Sequence, residues 1–283
     1  MKSYFFKAGC ARQIDFFVKE KSHGKMLNFP ATVMLTIHPK QGPILFDTGY
    51  SLDFKKATKY FPEKFYALAV PMQVTPEDCI ASQIRNLGLN AYDIRHIVVS
   101  HFHGDHVGGL RDFPNAKFHF LKSGLDLFLS KSRIGQVRAG FLKALIPDDF
   151  YERANFLNEE QFVDDPTWGR VIDLFGDSSI FLKDISGHCH GQLGFLAPNA
   201  EFTERNVKQA TFVIADACWN QDALGEHYKL PFLTKLLQEN PSQYLSTLMQ
   251  IRDLMKAQPH LSVIPCHCEE SLVQQKAQLM AQF

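Results

Sequence analysis

The chain has no apolar run approaching the ~20 residues that a membrane-spanning helix requires, so a transmembrane protein is not expected. It has no excess of charge either: Lys plus Arg number 30, Asp plus Glu number 30, and the formal net charge is zero. A neutral chain has no global electrostatic attraction for nucleic acid or for an anionic membrane, and neither is expected as a partner. Its six cysteines (Cys10, Cys79, Cys189, Cys218, Cys266 and Cys268) are too few and too irregularly spaced for a disulfide framework in 283 residues. Tryptophan is scarce, with Trp168 and Trp219 the only two, whereas Phe occurs 25 times. At 45% hydrophobic and 21% charged, the composition is that of a folded globular domain and excludes a disordered or fibrous chain. The opening Met1–Cys10 is interrupted by Lys7 and followed by Arg12 and Asp15. It lacks a signal-type apolar core and reads as a first strand of a cytoplasmic protein.

The pattern along the chain alternates short strands with helices. Segments 13–19 and 31–37 are rich in β-branched and aromatic residues, with a turn containing Gly24 between them. Pro43–Phe46 is a short strand that runs into Asp47-Thr48-Gly49, and Lys55, Lys56, Lys59 and Lys64 then form a basic, solvated stretch. Thr75, Pro76, Glu77 and Asp78 predict a helix start, Ile80, Ile84 and Leu87 its buried stripe, and Gly88 its end. Residues 94–100 form a nearly continuous apolar strand, of the kind buried on both faces, which delivers the chain to His101. Residues 121–165 read as a helical insertion, after which strands return at 170–174, 179–185, 192–196 and 210–215. Asn240 and Pro241 open a helix, 261–264 is a last strand, and 269–283 a closing helix. Without repeats or linkers, residues 1–283 read as a single α/β domain.

The chemistry is concentrated in His101-Phe102-His103-Gly104-Asp105-His106, where three imidazoles and a carboxylate fall within six residues. Neutral imidazole is the commonest metal ligand, and carboxylate completes sites for zinc, manganese or iron. In an extended segment His101 and His103 point the same way, and Asp105 and His106 then turn toward a second position. One loop can thus serve two adjacent ions. His188 or His190 can complete the first site. Asp47, Asp216 and His267 each end an apolar strand, an expensive place for a polar group unless it is paired or bound. A lone strand-end Asp or His is usually a turn residue; their repetition around one His-rich loop reverses that reading. Cys189, Cys218, Cys266 and Cys268 flank these positions and read as small buried hydrophobes. His23, His38, His96, His119, His227 and His260 read as structural or surface residues.

Taken in order, Asp47-Thr48-Gly49, His101-x-His103-x-Asp105-His106, Gly187-His188, Asp216 and His267 resemble the metallo-β-lactamase superfamily, and within it the N-acyl-homoserine-lactonase-type branch most. The resemblance implies a four-layered αβ/βα sandwich. It further implies that His101, His103 and His188 bind one divalent ion and that Asp105, His106 and His267 bind the other. Asp216 would bridge the two, and Asp47 would orient the ligand loop from behind. Trp219 stands where the lactonases commonly carry a tyrosine, and reads as an apolar wall of the substrate pocket.

The function expected is a dinuclear metal-dependent hydrolase, zinc first among the metals. A hydroxide shared by the two ions and oriented by Asp105 would attack the ester or lactone carbonyl of a small molecule. A glyoxalase-II-like thioesterase is the alternative, followed by a phosphodiesterase and by a metal-binding effector without activity. The pocket is expected from residues 50–72 and the 121–165 insertion, which could also support a homodimer.

Overall fold

The computed structural model describes residues 1–18, 23–201 and 208–280. The first half contains β1 (Lys2–Ile14), β2 (Met26–His38), β3 (Gly42–Phe46), α1 (Asp53–Ala57), α2 (Lys64–Ala69), β4 (Met72–Gln73) and α3 (Ile80–Gln83). There follow β5 (His96–Val98), α4 (Gly104–Val107), β6 (Lys117–Leu121), α5 (Lys122–Ser130), α6 (Arg133–Arg138) and β7 (Ala154–Leu157). The second half holds β8 (Val163–Asp165), β9 (Gly169–Asp173), β10 (Phe181–Asp184), β11 (Leu193–Glu201) and β12 (Lys208–Val213). It closes with α7 (Phe232–Leu237), α8 (Pro241–Ala257), β13 (Ser262–Ile264) and α9 (Glu269–Met280).

Two sheets result, in the order β7-β6-β5-β3-β2-β1 and β13-β12-β11-β10-β9-β8, and they meet where Lys2 of β1 pairs with Glu201 of β11. The layering follows from the period-2 alternation of strand side chains. Met34, Ile44, Phe46 and Val98 face the second sheet, where Phe46 lies 5.6 Å from Phe195 between ring centroids. Their neighbours Val33, Leu35, Leu45, Ile97 and Val99 face the opposite way, onto Ile80, Ile84 and Phe54 of the outer helices. Leu248 and Ile251 of α8 cover the second sheet. This is the αβ/βα sandwich the sequence led us to expect.

Several local expectations shift. The strand foreseen at 13–19 ends at Ile14, because Asp15 turns the chain: its N–H donates to the Lys25 carbonyl and its carboxylate accepts the His23 N–H. Lys19 lies outside the described residues. The helix foreseen from Thr75 begins only at Ile80, because Asp78 folds back to accept the Thr75 N–H and closes a separate turn first. Past Gln83 it tightens into a 3-10 turn, Ile84–Leu87, that ends at Gly88, whose φ of 76° suits a residue without Cβ. The segment 121–165 is α-helical in α5 and α6, with single 3-10 turns at Lys143–Leu145 and Glu159–Gln161. Its second half forms β7, which extends the first sheet beside β6, and β8, an edge strand of the second. The hydrophobic pattern there was shared between the two structures, and sheet pairing decided it. Asn240 caps α8 as expected, accepting the Gln243 N–H. The last helix is described to Met280, and residues 281–283 lie outside the described residues.

Two of the histidines read as structural, His96 and His119, meet on the neighbouring strands β5 and β6. His96 Nδ1 lies 2.9 Å from His119 Nε2, and Asn155 donates to His119 Nδ1 at 2.8 Å. Burial, with His96 and Lys117 nearby, holds the His119 imidazole down to about 3. The folded protein therefore keeps His119 neutral between pH 6.5 and about 3, whereas the unfolded chain takes up a proton there. Stability from this group is present above pH 6.5 and lost as pH falls toward 3. Urea unfolding at pH 7 and pH 5 should show wild type losing about 2 kcal/mol more than His119→Gln over that interval; equal losses would contradict this assignment.

Candidate metal centre

The site is assembled by two pairs of parallel strands. β3 and β5 are neighbours, with Phe46 opposite Val98, so Asp47 and the Ser100–His106 loop leave the first sheet side by side. β12 and β13 are neighbours, with Val213 opposite Ile264, so Asp216 and His267 leave the second sheet in the same way. The Leu193 N–H donates to the Ser100 carbonyl, joining the two sheets at this edge. His188 arrives on the β10–β11 turn. The backbone is strained where carboxylates must be aimed: Asp47 has φ 62° and Ala215, next to Asp216, has φ 42°.

After β5 the chain stays extended to His103 and then makes the single turn of α4, closed by the His106 N–H on the His103 carbonyl at 3.0 Å. That break sends His101 and His103 to one side and Asp105 and His106 to the other. His188 Nε2 lies 3.1 Å from His103 Nδ1 and 3.3 Å from Asp216 Oδ2. His267 Nε2 lies 3.3 Å from Asp105 Oδ2 and 3.1 Å from Asp216 Oδ1, and His106 Nε2 lies 3.2 Å from the same Asp216 oxygen. All seven residues expected to bind metal are thus brought together, with Asp216 between the two groups. His190 is outside, exposed, with its backbone N–H on Glu239.

Four of the five imidazoles, all but His103, are held from behind. Asp47 accepts from Ser100 N–H at 2.7 Å and Ser100 Oγ–H at 2.8 Å, and lies 2.7 Å from His106 Nδ1. Ser100 Oγ also reaches His101 Nδ1, Gln238 Oε1 reaches His188 Nδ1, and the Pro30 carbonyl reaches His267 Nδ1. Such partners fix the ring orientation and present the opposite nitrogen. Two glycines are required by close approach. A Cβ on Gly187, at φ 137°, would meet the Tyr244 backbone at 2.4 Å, and one on Gly140 would meet the His103 ring at 2.5 Å.

The electrostatics divide the cluster. Burial and the neighbouring imidazoles push His101 well below its ordinary range and His103 to about 3, and burial lowers His188. Burial acts the same way on His106 and His267, but the facing carboxylates outweigh it and raise both; in return these two imidazoles hold Asp216 well below the carboxylate range. His101 Nε2, His106 Nε2 and Asp216 Oδ1 are buried without a hydrogen-bond partner. Three buried, convergent donors of this kind, each a nitrogen or carboxylate oxygen, fit divalent metal. The group of His101, His103 and His188 also includes Cys189, whose Sγ lies 3.3 Å from His103 Nε2. Its thiol, raised well above its ordinary range by burial, braces the outer edge of that ring.

His103, Asp105, His188, Asp216 and His267 form the floor of a cavity of about 850 Å³ whose walls include Phe29, Phe65, Phe128 and Trp219, while His101 and His106 lie behind it. Trp219 does more than line it: its indole N–H donates to Asp216 Oδ2 at 3.0 Å. Asp105 is the carboxylate turned toward the cavity, with 12% of its side chain exposed against 1% for Asp47. Tyr50 was not singled out from the sequence. Its ring lines the same cavity, and its buried hydroxyl has no partner. The signal was its position directly after Asp47-Thr48-Gly49, but only the folded chain turns that segment toward the site.

The metallo-beta-lactamase superfamily model matches residues 29–202, and the chain belongs to that superfamily. A probable metallo-hydrolase of Mycobacterium tuberculosis is 27% identical over 201 residues, 66% of this chain and 59% of the relative. An N-acyl homoserine lactonase of Bacillus thuringiensis is 32% identical over 115 residues, 40% of this chain and 46% of the relative. The chain thus spans about half the length of these relatives. Among solved structures, an N-acyl homoserine lactone hydrolase with N-hexanoyl-L-homoserine at its metal centre shares the fold. It has a TM-score of 0.73 at 20% identity, covering 98% of this chain and 95% of that one. A dizinc quorum-quenching lactonase gives 0.60 at 14% identity, covering 95% and 85%.

Removing the carboxylate behind His106 should weaken metal binding without emptying the core. Asp47→Asn is expected to lower affinity for zinc by about 10–100-fold, measured by competition with a chromophoric chelator; wild-type affinity would show that Asp47 does not orient the loop.

Proposed function

We propose that the protein is a dinuclear metal-dependent hydrolase that opens the ester or lactone bond of a small molecule. The observation that carries this reading is the convergence of His101 Nε2, His106 Nε2 and Asp216 Oδ1, buried and without a hydrogen bond, behind an apolar cavity that Asp105, His188, Asp216 and His267 line. His101, His103 and His188 would hold one ion, Asp105, His106 and His267 the other, with Asp216 shared. Zinc suits this nitrogen-rich donor set, and manganese or iron are also accommodated. When bound, two such ions polarise a carbonyl and make water a nucleophile near neutral pH.

The remaining work belongs to the chain. Asp105 faces the cavity and is placed to orient the attacking water and take its proton, later returning it to the leaving oxygen. Tyr50 offers a hydroxyl that nothing in the protein satisfies, suited to donate to the carbonyl or leaving oxygen. Trp219 fixes Asp216 through its N–H and presents the rest of its indole as a wall; the residue expected as a pocket wall therefore also positions the shared carboxylate. The aromatic lining favours an apolar substituent on the substrate and keeps bulk water from the site. The lactonase names of the Bacillus thuringiensis relatives support the ester-or-lactone class.

A panel of lactones, aryl esters and thioesters, assayed with zinc-loaded protein, tests the assignment. Asp105→Asn should lower kcat by about 10²–10⁴-fold, with melting temperature nearly unchanged. Tyr50→Phe should lower kcat by roughly 10-fold, the worth of one hydrogen bond to a charged oxygen, with circular dichroism unchanged. Near wild-type rates in both variants, or no turnover of any carbonyl substrate by the fully loaded protein, would overturn the proposal.

A further inference from the structure

The mouth of the cavity is bordered by two short helices whose polarity is the reverse of what packing against a core requires. In α7 the fully buried side chain is Thr234, while Phe232, Leu236 and Leu237 are 72%, 65% and 54% exposed. In α2 no residue is fully buried, and Phe65 and Leu68 are more than half exposed. Just before it, Phe61 is also more than half exposed, its ring centroid 4.7 Å from that of Phe65. Phe65 from one side and Leu236 and Leu237 from the other line the cavity itself, so the apolar surface is one lip around one opening. An exposed apolar patch concentrated in this way marks an interaction surface.

Its charge says what kind. In the segments that carry the lip, residues 52–72, 131–138 and 228–239, there are nine Lys or Arg and three Asp or Glu, in a chain whose net charge is zero. The three acids are each engaged by a cation: Asp53 by Lys56, Glu63 by Arg133 and Glu239 by Lys131. Lys55, Lys59, Lys64, Arg138, Lys229 and Lys235 have no acidic partner among the described residues. Lys59 and Lys64 instead lie over the exposed rings of Tyr60 and Phe61, 5.1 Å and 5.5 Å from their centroids. Exposed aromatic and aliphatic side chains interleaved with free lysines suit the boundary between acyl chains and anionic headgroups.

We propose that this lip docks the protein on an anionic lipid bilayer, with Phe61, Phe65, Leu68, Phe232 and Leu236 entering the acyl boundary and the free lysines meeting the headgroups. Two arguments favour a bilayer over a second copy of the chain. A second copy carries the same uncompensated cations and would bring like charges together. It would also cover the opening between the helices, whereas a fluid lipid surface leaves the cavity open to apolar solutes dissolved in it. The neutral whole-chain charge concealed this surface, because the asymmetry is local.

The test is sedimentation of the full-length, metal-loaded protein with extruded vesicles of phosphatidylcholine, with and without about one third phosphatidylglycerol. Binding is expected on the anionic vesicles, weakening as salt is raised. A Phe61→Asp, Phe232→Asp double variant should partition at least about tenfold less, with unchanged melting temperature and unchanged turnover of a soluble substrate, since neither residue lines the cavity. Lys229→Glu with Lys235→Glu should weaken binding to the anionic vesicles alone. Absence of binding to anionic vesicles would overturn the proposal, as would equal binding by the double variant. So would a dimer in sedimentation velocity that the same double variant dissociates, which would assign the lip to a second copy. None of these outcomes depends on which bond the enzyme cleaves.

Discussion

A buried carboxylate with no solvent to stabilise it must be surrounded by groups that do, and Asp216 organises the site on that constraint. His106, His188 and His267 direct ring nitrogens at its two oxygens, and Trp219 adds an N–H. These residues come from four separate places in the chain. Bringing them to one point requires both sheets, closed on each other with their strand ends level. Parallel pairing of β3 with β5 and of β12 with β13 supplies that alignment, because parallel neighbours finish at the same edge.

The imidazoles in turn need fixing, and for four of them the fold supplies a different device each. Asp47 does so with charge, Gln238 with an amide oxygen, Pro30 with a backbone carbonyl and Ser100 with a hydroxyl. The strain at Asp47 and Ala215 is tolerated because hydrogen bonds on both sides hold those residues in place. Asp47 N–H donates to the Val98 carbonyl, and the Cys266 N–H to that of Ala215. Rigidity below the cavity contrasts with its rim, where α2 and α7 are short and make little core. A rim of this kind can vary in sequence without disturbing the polar cluster beneath it.

The candidate ligand residues were legible in the sequence because metal chemistry restricts residue type and spacing together. His101-x-His103-x-Asp105-His106 places three imidazoles and a carboxylate within reach of one another by local geometry alone. Asp216 and His267 were legible for a related reason, each being polar at the end of an apolar run. The helix from Asn240 was equally readable, since its cap and stripe are local. The helix start at Thr75 and the strand at 13–19 were misread because Asp78 and Asp15 bend the backbone through side-chain hydrogen bonds, which compete with the periodic pattern.

By itself the sequence determined the candidate donor set, the alternation of strand and helix, and the order in which the candidate ligands enter. Those properties are fixed by neighbours a few residues apart. The tertiary structure alone decided that residues 154–157 join the first sheet, that Tyr50 lines the cavity, and that Trp219 bonds to Asp216. It also decided that helices near residues 65 and 236 share one opening. Each of these depends on contacts between segments far apart in the chain, whose closure is governed by the packing of two sheets rather than by local propensity.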